Sequence, residues 1–163
     1  MKSVMLSPTD QRYHLATHKL IITYADIAAL GAATTGVIAL VPTSGTFPAG
    51  TVFRFAGLHL VTAFDFSDTG ITSLLVEIGI TGGDTDKYLT QTQIAVDGTE
   101  VIYKVEGATT QPAAEGTADS VDALFTVANG GSPLLSECTS GELHIYMYVH
   151  TPFTKMQKVA GAL

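Results

Sequence analysis

At 163 residues the chain is long enough for one domain with a real core and no need of disulfide staples. Hydrophobic residues make up 46% and charged residues only 14%, where a lone domain usually carries roughly a quarter charged, so part of the surface is expected to be hidden against partners. The net charge of -7, with Lys155 and Lys158 the closest approach to a basic cluster, excludes a nucleic-acid backbone as the ligand, because phosphate binding needs clustered cations.

The single cysteine, Cys138, rules out an internal disulfide. The N-terminus lacks the apolar run of a signal peptide, and no run of about 18 apolar residues is present to span a bilayer. In chain order, Met1–His14 reads as an extended arm without a core of its own, either a loose terminus or an arm that lies on a neighbouring protein. Ala16–Tyr24 is the first strand, with Leu20, Ile22 and Tyr24 on one side. Ala25–Leu30 is a short helical turn. Gly36–Val41 is a compact apolar strand, and Pro42–Gly50 is a loop punctuated by proline and glycine.

Thr51–Phe66 (TVFRFAGLHLVTAFDF) is the stretch around which the chain is organised. Strict alternation places Val52, Arg54, Ala56, Leu58 and Leu60 on one face and Phe53, Phe55, Gly57, His59 and Val61 on the other. Both faces are largely apolar, which suits a central strand or one whose second face meets another subunit. Ser73–Ile80 follows, with Leu74, Val76, Ile78 and Ile80 inward. Lys87–Thr92 reads as the start of a helical turn anchored by Tyr88 and Leu89. Thr99–Val105 is a strand, Gly107–Gly116 a mobile surface loop, and Asp119–Ala128 a half-buried strand. Gly141–His150 is the last strand, with Leu143, Ile145, Met147 and Val149 on one face and His144, Tyr146, Tyr148 and His150 on the other. Residues 151–163 form a tail.

Seven or eight strands separated by turn signals, with almost no helix, predict an all-β fold: an antiparallel β-sandwich, jelly-roll-like, with short helical turns. The expected organisation is an arm at 1–14, a sandwich domain at 15–150 and a tail at 151–163.

No sequence constellation selects a chemistry. The five histidines include no H-x-H or H-E-x-x-H pair, His14 and His18 lie on arm and strand, and Cys138 has no partner cysteine, so no metal ligand set is expected. Asp84 and Asp86 resemble a fragment of a calcium loop, but Lys87 and Tyr88 stand where further oxygen ligands are needed; a turn held by aspartate side chains is the simpler reading. Gly-x-Ser-x-Gly and phosphate loops are absent. The chain is therefore read as non-enzymatic and without cofactor. The candidate interface residues are His144, Tyr146, Tyr148 and His150 from the last strand, with Phe53, Phe55 and His59 from the central one, since tyrosine and histidine cover apolar area while keeping a polar tip. A carbohydrate- or receptor-binding module using the Tyr146 and Tyr148 face or the Asp84–Asp86 loop is the alternative.

Several segments, in this order, are LIITYADIAALGAATTGVIAL, FPAGTVF leading into LVTAFDF, SLLVEIGITGGDTDKYLTQTQI and GELHIYMYVH. Together they cover about residues 19–150 and resemble the small β-sandwich proteins that decorate or cement tailed-bacteriophage capsids. The resemblance implies a virion structural protein made in the bacterial host cytoplasm, bound outside a lattice of major capsid protein, and self-associated, more as a homotrimer than a dimer. It implies neither a nucleic-acid nor a membrane partner, and no catalytic residue transfers with it.

Overall fold

The computed structural model describes residues 1–9, 16–41, 46–80, 83–94, 96, 103–104, 113–114, 119–128 and 132–151. In chain order its elements are β1 (Lys2–Met5), β2 (His18–Thr23), helix α1 (Tyr24–Ala28), β3 (Thr35–Val41), β4 (Val52–Phe66), β5 (Ser73–Ile80), β6 (Leu89–Ile94), β7 (Tyr103–Lys104), β8 (Ala113–Ala114), β9 (Val121–Ala128), a 3-10 turn at Leu135–Glu137 and β10 (Cys138–His150). The named strands pair antiparallel in two sheets. One has six strands in the order β1-β2-β10-β4-β7 with β8 also on β4; the other has four in the order β3-β9-β5-β6. The all-β sandwich expected from the alternating segments is the observed fold. No helix among the described residues is long and apolar enough to cross a membrane.

The inner faces follow from period-2 alternation. Leu20 and Ile22 of β2, Leu143, Ile145 and Met147 of β10, Leu74, Val76 and Ile78 of β5, and Val121, Ala123 and Phe125 of β9 are all buried in one cluster between the sheets. Phe53 sits in the same cluster, edge-on to Phe47 at 4.6 Å and to Tyr88 at 6.2 Å between ring centroids. Edge-to-face rings add attraction beyond the area they bury.

The strict alternation expected along the central strand does not hold, and the reason is a bulge. Tyr146 of β10 pairs with Gly57 of β4, but the next residue, Met147, pairs with Phe55, leaving Ala56 without a partner. One extra residue reverses which side chains face inward. Phe53 and Phe55 before the bulge and Leu58 and Leu60 after it all enter the core, while Arg54, Gly57 and His59 pair with outward residues of β10.

A second irregularity lies between Ser140 and Glu142. There Gly141 adopts φ +131°, and a Cβ at this position would fall 2.3 Å from the Phe64 ring. The glycine thus supplies a left-handed backbone and lets an aromatic ring lie against the main chain.

The helical turn expected over Lys87–Thr92 is instead the approach to an edge strand. Tyr88 N–H donates to the Ile78 carbonyl at 2.9 Å, and Leu89–Ile94 continues the ladder on β5 as β6. The anchors Tyr88 and Leu89 are buried, but the open edge of β5 offers hydrogen bonds that a lone helical turn does not.

The N-terminal arm, expected to be loose or to lie on a neighbour, places Lys2–Met5 on the chain's own β2. The Met1 amino group pairs with the Asp26 carboxylate, whose other oxygen accepts the Thr23 N–H at 2.9 Å; residues 10–15 lie outside the described residues. Within the expected strand Thr99–Val105 only Tyr103–Lys104 is described, and within the expected loop Gly107–Gly116 only Ala113–Ala114. Both pairs bond to β4. Of the expected tail, residues 152–163 lie outside the described residues.

Asp122 carries a cost. It is 7% exposed, accepts the Ser120 hydroxyl at 3.3 Å on Oδ2, and leaves Oδ1 with no hydrogen-bond partner among the described residues. Burial pushes its proton affinity up, against the Ser120 hydrogen bond, and the Asp119 charge adds to the rise. An acid held more tightly to its proton in the fold than in the unfolded chain stabilises below its unfolded pKa, and that contribution is lost as pH rises through the folded value. Asp122→Asn, which removes the buried charge, is therefore expected to raise stability at pH 7, with the gap to wild type closing toward pH 4. Urea melts across that range measure both quantities.

Candidate functional site

The outer face of the six-stranded sheet gathers most of the candidate residues. Its register sets His144 of β10 between Ile21 of β2 and His59 of β4, and Tyr146 between Lys19 and Gly57. Tyr148 pairs with Arg54, and Lys2 of β1 lies beside Ile21. Because the flanking residues Leu143, Ile145 and Met147 face the core, these side chains all share the opposite face.

The centre of the face is tightly packed. The His59 and His144 rings meet edge to face at 5.9 Å, and His144 and Tyr146 at 6.5 Å. His144 Nε2 lies 2.6 Å from Glu142 Oε1. Burial lowers the His144 pKa; the Glu142 hydrogen bond opposes this, while the charges of Lys19 and His59 lower it further. The ring is thus held neutral at pH 7, and the proton sits on Nε2, since a carboxylate can only accept. Further along the strand the Arg54 guanidinium stands 6.0 Å over the Tyr148 ring, a cation–π distance. Tyr148 is half-buried and His150 exposed.

Five of the seven predicted residues, His59, His144, Tyr146, Tyr148 and His150, therefore share one face. Phe53 and Phe55 do not. They are core residues, at 0% and 5% exposure, because the bulge at Ala56 separates their phase from that of His59. Lys19, Arg54 and Glu142, which complete the face, carried no sequence signal of their own; only the pairing of β2, β4 and β10 shows that they converge.

Away from this face the polar side chains have structural roles. Asp68 Oδ1 accepts the Gly70 N–H at 2.8 Å and Asp65 Oδ1 the Phe66 N–H at 2.9 Å, as turn carboxylates do. The Asp84–Asp86 loop folds back over Gly79: a Cβ there would meet the Asp84 carbonyl at 2.1 Å, and that carbonyl accepts the Ile80 N–H at 2.9 Å. Asp86 holds its proton more tightly than usual, chiefly through a side-chain hydrogen bond with Asp84, with Glu77 adding like charge. Among the described residues no three His, Cys, Asp or Glu side chains form a group able to hold a metal ion. His18, whose pKa burial lowers, lies 2.8 Å through Nδ1 from the Thr17 hydroxyl; His14 lies outside the described residues. Burial, with the Asp65 charge adding, pushes the Cys138 thiol up to about 12, so it carries almost no thiolate. A crevice between Leu58, Leu60 and Leu143 on one side and Thr92, Gln93 and Ile94 on the other has about 10 Å³ of free volume, room for one water at most.

Comparison of the chain with protein-family models, with curated proteins and with solved structures finds no match.

Proposed function

We propose that this chain is a non-enzymatic virion structural protein that binds the outside of a tailed-phage capsid and stabilises its lattice. The observation that carries the reading is the outer face of the six-stranded sheet: a rigid surface across β2, β10 and β4 in which His59, His144 and Tyr146 pack against one another rather than around a cleft. Such a surface suits broad contact with another protein, and weak contacts repeated over a lattice sum to firm attachment. The resemblance of the ordered sequence segments to capsid decoration proteins supports the same reading.

The carbohydrate-module alternative needs open aromatic faces for sugar to stack on. Tyr146 is 7% exposed, and the half-buried Tyr148 has the Arg54 guanidinium over its ring, which favours the protein-contact reading.

Cryo-electron microscopy of phage particles that contain this chain tests the proposal. The expected result is density for the sandwich on the capsid exterior at lattice junctions. Density confined to the tail or baseplate, or particles whose heads lack the chain while retaining full stability to heat and dilution, would overturn it.

A further inference from the structure

Among the described residues of this acidic protein, most lysine and arginine side chains gather on one sheet. Lys2, Lys19, Arg54 and Lys87 are the four lysine and arginine residues whose side chains are described. The first three share the outer face of the six-stranded sheet, where register places them beside Ile21, Tyr146 and Tyr148. Glu142, hydrogen-bonded to the neutral His144 at 2.6 Å, and the exposed Asp65 at the far end of β4 are the described acids on that face, and the three cations outnumber them.

The outer face of the four-stranded sheet has the opposite character. Val37 pairs with Leu124, and Leu124 with Glu77; Thr126 pairs with Leu75. Val37 is 52% exposed, with Leu75, Glu77 and Leu124 half-buried around it. Over Gly79 on this face, two residues along β5 from Glu77, lies the Asp84–Thr85 backbone, which sets the exposed Asp84 and Asp86 on the same side of the sheet as Glu77. Lys87 is the cation here, its ammonium 5.7 Å over the Tyr88 ring, and it leaves an acidic excess. The six-stranded face carries apolar area of its own, with Val61 42% exposed.

We propose that a second copy of this chain docks head to tail, the basic outer face of the six-stranded sheet of one copy meeting the acidic outer face of the four-stranded sheet of the next. Lys2, Lys19 and Arg54 face Glu77, Asp84 and Asp86, while Val61 and Val37 contribute the apolar area. A pairing of like faces brings cations against cations or carboxylates against carboxylates, and like charge across an interface disfavours it. The contact is therefore heterologous, closing into a ring where the rotation between copies allows and extending otherwise. It names the surfaces for the self-association expected from composition, and it claims for a second copy the same six-stranded face on which the capsid reading rests, so the two contacts compete for that face.

Sedimentation velocity of the purified full chain tests this without any capsid. The average mass is expected to rise with concentration in about 20 mM salt, and the association to weaken at least tenfold in about 500 mM salt, where the Debye length is only a few ångströms. Lys2→Glu/Lys19→Glu and Glu77→Lys/Asp86→Lys are each expected to sediment as monomers, with circular dichroism and melting checked against wild type. An equimolar mixture of the two variants regains association, because each reversed face then meets a complementary one. A wild-type chain that stays monomeric at every concentration and salt overturns the proposal. So do an association unaffected by salt and by both reversals, and a pair of folded variants whose mixture stays monomeric.

Discussion

Replacing Phe53 by alanine is expected to cost about 3–5 kcal/mol of stability, the range for emptying a buried aromatic site. Phe53 is 0% exposed, and its ring is gripped by Phe47 at 4.6 Å and Tyr88 at 6.2 Å. Phe47 belongs to an isolated bridge to Asp119 and Tyr88 to the approach to β6, so the cavity would loosen three separate parts of the chain and collapse poorly. Against a typical domain stability of about 5–15 kcal/mol this is a large fraction, and a chain of this size should lose on the order of 10 °C in Tm. Chemical denaturation of the dilute monomer measures it. The result bears on function as well: a Phe53 that served only in subunit contact would leave monomer stability nearly unchanged and weaken association instead.

Gly141→Ala is expected to be nearly as damaging, for a different reason. The backbone there has φ +131°, a region that costs a non-glycine residue about 1–2 kcal/mol. The added methyl would also press into the Phe64 ring, with approaches of 2.3, 2.5 and 2.8 Å to three of its atoms. Phe64 is fully buried, so overpacking adds about 1–3 kcal/mol more. The combined loss is about 2–5 kcal/mol, read by urea melts. In the double variant Gly141→Ala/Phe64→Leu the two losses should fall short of additivity, because the smaller side chain relieves the collision.

These two positions also show what the sequence could and could not disclose. The inward sets of β5, β9 and β10 were legible because apolar residues alternate there with polar or glycine neighbours, as in Leu74, Val76, Ile78 against Glu77 and Gly79. In β4 nearly every residue is apolar, so alternation carries no phase information, and nothing in the letters marks Ala56 as the unpaired residue that shifts Phe53 and Phe55 away from His59. Tyr88 and Leu89 were legible as anchors but not as the start of a strand, because the decisive hydrogen bonds come from the edge of β5, some ten residues back. The candidate face was half visible. The His144–His150 row could be read from one strand alone, whereas the approach of Lys19, Arg54, His59 and Glu142 depends on strand register, which local pattern does not specify.

The positions of β9 and β10 carry a consequence for how the protein is made. Each is an interior strand of its sheet, β10 lying between β2 and β4 and β9 between β3 and β5, yet each comes after residue 120 in the chain. During synthesis the earlier strands emerge with their main-chain ladders open and must wait for a late partner, at the stage when exposed edges invite misassembly. The sandwich thus cannot close from its beginning, and a ribosome stalled before β10 would hold a chain in which β2 and β4 lack the strand that joins them.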